Sequence, residues 1–254
     1  MCLINFQLNS HSRYKLVMAA NRDEEYSRPT EAAHFWEDHP DLLGGRDLRG
    51  MGTWLGITKD GRFSALTNVR NTKELLSTHS KSRGHLVRNF LTGDDRPEEY
   101  LKKVAEEGGD YAGFNLLVGD KDGLYYLNNY ENEVVRIEDG VHGLSNHHLD
   151  TPWPKVVKGR NGLKSVMEDQ DADVEALFRL LRDDETADSG LPDTGLSKEL
   201  ERDLSPLFIN MDKYGTRCST VILIDQSDNV TFVERTYEEG KENGEVRYEF
   251  ALEG

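Results

Sequence analysis

The chain opens on an alternation of apolar and polar positions. Ile4, Phe6 and Leu8 alternate with Asn5 and Gln7, a period of two that predicts a strand over 2–8. A turn at 11–13 leads into a second apolar run at 14–20, so the two segments are expected to form an N-terminal hairpin. An irregular stretch bearing Pro and Gly, 28–50, comes before two more strands, 53–58 and 63–67, joined across Lys59-Asp60-Gly61. Four strands are therefore expected before the first helix.

Helical periodicity appears at 83–91 and 97–107, the second with Pro97 in its first turn, where a missing N–H costs little. Short strands are expected at 114–118, 123–128 and 134–137, leading to the segment 140–146. Helices follow at 154–167 and 174–182, then a surface loop at 183–196, and strands at 219–225, 230–237 and 245–252, with a solvated hairpin tip at 238–245. The βαβα alternation of a parallel sheet is missing, so the pattern predicts an α+β fold of two stacked, mostly antiparallel sheets with helices outside.

A length of 254 residues accommodates one domain spanning 1–254. No stretch approaches the roughly 20 apolar residues of a membrane span, and the first residues lack the features of a signal peptide, which predicts a soluble cytoplasmic protein. Cys2 and Cys218 are read as thiols, because secreted chains carry denser cysteine frameworks.

Asp plus Glu exceed Lys plus Arg by 47 to 31, a net charge of -16. The acidic residues run from Asp23 to Glu253, which argues against a nucleic-acid partner, whose phosphates need a basic surface. Arg outnumbers Lys by 18 to 13, and the general acidic surplus suits a halophilic, salt-rich cytoplasm in which screening relieves self-repulsion.

The chemistry starts at Met1-Cys2. A small second residue permits removal of the initiator methionine, leaving Cys2 with a thiol and its own α-amine, a base of pKa ~8. If Cys2 begins one strand of a hairpin, Asn21-Arg22-Asp23-Glu24 at the end of the next can lie beside it. Asp23 could hold the amine and Asn21 could donate to a polarised carbonyl; the same four residues could equally be a polar turn.

Met1-Cys2-Leu3, Ala19 to Glu24 followed by Arg28-Pro29-Thr30, Gly44-Gly45-Arg46-Asp47, Gly52-Thr53-Trp54-Leu55-Gly56, Leu66-Thr67-Asn68-Val69-Arg70, Gly143-Leu144-Ser145-Asn146, and Tyr214-Gly215-Thr216-Arg217 with Ser219-Thr220-Val221 together resemble the transport and Golgi organisation 2 family, also called the NRDE family. More distantly the same order is similar to choloylglycine hydrolases and penicillin V acylases, N-terminal nucleophile (Ntn) hydrolases that cut amides with a terminal cysteine.

The resemblance implies a four-layer αββα sandwich with the N-terminal strand in the middle of one sheet. It implies that Cys2 attacks a carbonyl, Asp23 holds its amine, Asn68 completes an oxyanion site, Asn146 bonds the amine or the intermediate, and Arg217 supplies positive charge. Arg22, Trp54 and Arg70 are assigned to substrate contact. The related acylases carry an arginine near the position of Ala20; here the nearest is Arg22, whose relation to Cys2 depends on strand pairing.

The implied activity is hydrolysis of a small-molecule amide through an acyl-enzyme, without metal or cofactor. The alternative is a non-catalytic binding or trafficking protein on the same scaffold, since eukaryotic members of the family are tied to Golgi organisation, lipid metabolism and haem trafficking. Its ligand would be hydrophobic, haem among the candidates, with His34, His142 or His148 as axial ligands. The thiolate of Cys2 is expected to be favoured by its amine and Arg217, and Cys218 to be inert. The glycines at 44–45 and 50–52 read as turns, because no Gly-Lys-Ser/Thr follows. His147-His148 lack a metal-binding pattern, and adjacent histidines of an extended chain diverge. Trp54 and Trp153 read as core or pocket walls.

Overall fold

The computed structural model describes residues 2–72, 81–168 and 171–253; Met1, the first half of the Met1-Cys2 signal, lies outside them. In chain order the strands are β1 (Cys2–Leu8), β2 (Tyr14–Glu25), β3 (Thr30–Phe35), β4 (Leu42–Asp47), β5 (Leu55–Thr58), β6 (Phe63–Asn68), β7 (Phe114–Asp120), β8 (Gly123–Asn128), β9 (Val134–Arg136), β10 (Gly140–Leu144), β11 (Tyr214–Asp225), β12 (Asn229–Glu238) and β13 (Lys241–Ala251). The helices are α1 (Gly84–Leu91), α2 (Pro97–Glu106), α3 (Pro154–Val166), α4 (Val174–Leu181) and α5 (Lys198–Asp203). Two compact units divide them, one of Met1–Ser27 with Glu138–Ala251, the other of Arg28–Ile137 with the last residues of the chain.

The first unit holds a six-stranded sheet in the order β10-β1-β2-β11-β12-β13, antiparallel throughout. The expected hairpin is its heart: Leu8 pairs with Leu16 and the ladder runs without interruption to Cys2 opposite Arg22. One face of this sheet takes α3 and α4, whose Leu163, Leu177, Phe178 and Leu181 pack with Val17, Ala19, Val221 and Val233. Side chains alternate across a strand, so Val17, Ala19 and Asn21 share the helix-covered face, while Cys2, Ile4, Ala20 and Arg22 share the other.

The second unit holds a seven-stranded antiparallel meander, β3 to β9 in chain order. Helices α1 and α2 cover one face, with Leu86, Phe90, Tyr100 and Leu101 packed on Leu66, Phe114, Leu116 and Leu127. The Gly50–Gly52 run forms the expected turn: Asp47 Oδ1 accepts from the Arg49 and Gly50 N–H groups, and Met51 N–H returns to the Asp47 carbonyl. Gly52 is required there, since a Cβ would lie 2.5 Å from the Gly84 carbonyl at the start of α1.

Four helices fall within one residue or so of their expected limits, and the strands require corrections. The stretch 28–50 is not irregular: it contains β3 and β4, so among the described residues six strands precede α1. Their pairing shifts register between Glu31 and His34, which breaks the period that would have announced them. Strand β2 continues past Ala20 to Glu25, β11 begins at Tyr214, and the segment from 140 supplies an edge strand, β10. These extensions carry Asn21, Arg22, Asp23 and Thr216, polar residues that are buried because neighbouring strands supply their partners.

Candidate functional site

Cys2 is the first residue of β1 and only 7% exposed. On one side the ladder sets Arg22 directly opposite it, and Arg22 in turn faces Cys218 across the β2–β11 pairing. Facing residues project to the same side of a sheet, so the guanidinium of Arg22 sits between two buried thiols. On the other side β10 runs antiparallel to β1 and delivers Ser145 and Asn146 beside its start: the Ser145 hydroxyl donates to the Cys2 carbonyl at 3.2 Å and to Asn146 Oδ1 at 3.2 Å. Asn146 is completely buried.

Asp23 follows Arg22 on β2 and is 2% exposed. Its Oδ1 accepts from the Thr216 hydroxyl at 2.8 Å, its carbonyl accepts from the Tyr214 hydroxyl at 2.9 Å, and its backbone N–H donates to the Cys2 sulfur. Burial pushes the Cys2 thiol up, with the Asp23 carboxylate adding to the rise and Arg22 opposing it. Burial likewise raises the Asp23 carboxyl, against the pull of Lys155, Thr216 and Arg22. The second thiol, Cys218, is pushed far higher by burial, with the neighbouring Glu234 adding to the effect.

Three expectations need correction. Asn21 does not join Cys2: it lies on the helix-covered face, where its amide donates to the carbonyls of Leu181 at 2.9 Å and Leu207 at 2.8 Å and its Oδ1 accepts from Ser219 at 2.6 Å. A side-chain period of two separates it from the nucleophile's face, although the two positions are neighbours in the hairpin. Arg217 is the extra residue of a β-bulge between Thr216 and Cys218, and it donates to the backbone carbonyls of Glu25 and Tyr26 at 3.0 and 3.1 Å. The cation across from Cys2 is Arg22, and the thiol is raised by burial and not lowered as expected.

Asn68, Trp54 and Arg70 belong to the second unit. Asn68 ends β6 opposite Phe114, Arg70 follows two residues later and is half-buried, and Trp54 is buried just before β5 with its carbonyl accepting from Leu66 N–H at 2.8 Å. Among the suggested axial ligands, His142 has one ring nitrogen on Asp150 and the other on the Glu138 carbonyl, while His34 lines an open pocket with Glu31, Glu37, Arg46, Leu48 and Met51. His147 and His148 are not on an extended segment, and their ring centroids lie 4.3 Å apart.

Lys155 and Glu234 were missed, each 2% exposed. Both carried a signal. Lys155 is a cation in the first turn of a helix, where the dipole disfavours it, and Glu234 interrupts the apolar alternation of Val230 and Phe232.

The structure of the C2A mutant of a conjugated bile acid hydrolase from Clostridium perfringens is similar to this chain with a TM-score of 0.52 and 9% identity, covering 99% of this chain and 98% of that one. The likeness, with two antiparallel sheets and their helices, assigns the chain to the αββα Ntn-hydrolase fold class. The transport and Golgi organization protein 2 homolog of Bos taurus is 38% identical over 93% of each chain, and that of Homo sapiens 35% identical over the full length of both. With the family described as Transport and Golgi organisation 2 matching residues 1–239 as well, the chain belongs to that family.

Proposed function

We propose that this protein is an N-terminal-cysteine hydrolase of a small acyl amide, active once Met1 has been removed. The observation that supports it best is the buried setting of Cys2, with Arg22 opposite the thiol, Asp23 fixed by Thr216 next to it, and the Ser145–Asn146 segment on its other side. The related fold comes from a bile acid hydrolase whose studied mutant replaces a cysteine at position 2.

In this reading the Cys2 thiol gives its proton to its own α-amine as sulfur bonds to the substrate carbonyl carbon, and Asp23 holds the resulting ammonium. Arg22 and the Asn146 amide stabilise the oxyanion. As the C–N bond breaks, the ammonium returns a proton to the departing amine, leaving a thioester on Cys2. Water then attacks the thioester, releases the carboxylic acid and restores the thiol. No metal or organic cofactor takes part, and the acidic protein works in a salt-rich cytoplasm.

The test uses natively processed protein whose intact mass shows the loss of Met1. Incubation with N-acyl amines and N-acyl amino acids of short to long chain should release free amine and leave an acyl adduct on the Cys2 peptide, both absent from Cys2→Ala. No adduct and no turnover across the series would leave the binding reading. A haem-dependent absorbance band lost in a His34 or His148 variant would then identify the ligand class.

A further inference from the structure

Among the buried ionisable residues of the first unit that the mechanism above leaves without a task, Lys155 is the cation. Lys155 is the second residue of α3 and 2% exposed. A cation there opposes the helix dipole, and burying an ammonium is costly unless an anion meets it. Asp23 is placed to be that anion. Alternation along β2 puts it on the face that carries Asn21, whose amide holds the Leu207 carbonyl. On that face Leu207 packs with Leu3 and with Trp153 and Val156, the residues on either side of Lys155. The charge of Lys155 acts on the Asp23 carboxyl and favours its ionised form.

A carboxylate facing an amine favours the protonated ammonium, and an ammonium cannot accept the thiol proton. A second cation on the same carboxylate offsets that preference. We propose that Lys155 is a positioning residue for the Cys2 nucleophile: it shares the Asp23 carboxylate with the Cys2 α-amine and so keeps that amine unprotonated, ready to take the thiol proton. The proposal rests on the N-terminal-cysteine reading and adds to it. The proton moves from Cys2 sulfur to Cys2 nitrogen, and the charge of Lys155 stays constant throughout.

The test is the pH profile of Cys2 carbamidomethylation by iodoacetamide, read by peptide mass in protein shown to lack Met1. The other charged or titratable groups around Cys2 and Asp23 include Arg22 and Glu24 on β2, Tyr26 just after it, Tyr214, Arg217 and Cys218 on β11 and Glu234 on β12, none altered by the substitutions. Lys155→Met should move the midpoint up by about one pH unit, whereas Lys155→Arg should keep it within about half a unit of the parent. A folded Lys155→Met protein with the parent profile, or Lys155→Arg as shifted as Lys155→Met, overturns the proposal.

Should Lys155→Met fail to fold, the double variant Asp23→Asn/Lys155→Met removes both charges and is expected to fold; a double variant no more stable than the single one overturns the pairing. The profile needs no substrate, so the two readings fail separately. A shifted profile without turnover sinks the hydrolase alone, and turnover with an unshifted profile sinks the role of Lys155 alone.

Discussion

Arg22 lies directly across the β1–β2 ladder from Cys2, on the same face of the sheet, and is 6% exposed. This answers the departure at Ala20, where the related acylases carry an arginine: Ala20 faces Ile4, two residues further into the hairpin, and the arginine of this chain is the one in register with the nucleophile. Its guanidinium also lies 4.0 Å from the carboxylate of Glu24, two residues along β2 on the same face.

Arg22→Leu should therefore slow alkylation of Cys2 by roughly tenfold, equivalent to about one unit of thiol pKa. In the parent protein, limiting iodoacetamide should label Cys2 before Cys218, whose thiol burial and Glu234 push higher. Peptide mapping reads both rates. Unchanged Cys2 labelling in the folded Arg22 variant would remove the guanidinium from the nucleophile's chemistry.

Asn21→Ala should act on stability. It deletes two buried hydrogen bonds to the Leu181 and Leu207 carbonyls and leaves the Ser219 hydroxyl without its acceptor. The expected loss is about 2–4 kcal/mol in urea unfolding, since buried acceptors that lose their donor retain their desolvation cost. A loss below ~1 kcal/mol would show that these bonds do not hold the 181 and 207 segments to the sheet.

His142 provides a pH dependence. Its bond to Asp150 raises it above its ordinary 6.5, while Asp150, despite burial, is lowered by His142, the Gly143 N–H and Arg160. A raised histidine contributes stability that is full below its unfolded value and is lost as pH rises through the folded value. A lowered carboxyl contributes stability above its own unfolded value that is lost as pH falls through the folded one. The parent should accordingly melt about 2–4 °C higher, relative to His142→Gln, at pH near 6 than at pH near 8.5. A constant difference between the two proteins across that range would rule the pair out as the titrating element.

Gly159 marks how closely α3 approaches β1. A Cβ there would lie 2.4 Å from Asn5 Oδ1, so Gly159→Ala should cost about 1–3 kcal/mol through overpacking. Adding Asn5→Ala should restore part of that loss by emptying the space, which a double-mutant cycle in urea measures. Additive losses would mean that the two positions do not meet.

The net charge of -16 predicts that the melting temperature rises with KCl, most steeply over the first ~0.5 M, where the Debye length shrinks to a few Å. Differential scanning fluorimetry across a KCl series checks it. A flat or falling curve would contradict the expectation of a halophilic protein.

Several features followed from local sequence alone: the N-terminal hairpin, four helices, the turn at Gly50–Gly52 and the family motifs that lead to Cys2 and Asp23. These depend on short-range periods, caps and turn residues, which act within a few positions of the chain. Where β2 ends was hidden, because Asn21 to Glu25 are polar and become strand only when β11 supplies their partners. Register decided the rest. The alternation of side chains sends Arg22 to the nucleophile's side and Asn21 to the helices, and only the pairing of Cys2 with Arg22 says which is which. Likewise a bulge takes Arg217 out of register, and the packing of α3 on β1 brings Lys155, 153 positions away along the chain, to the charge beside Cys2. Such contacts join residues far apart in sequence, and the chemistry of each residue type is unchanged until the tertiary fold chooses its neighbours.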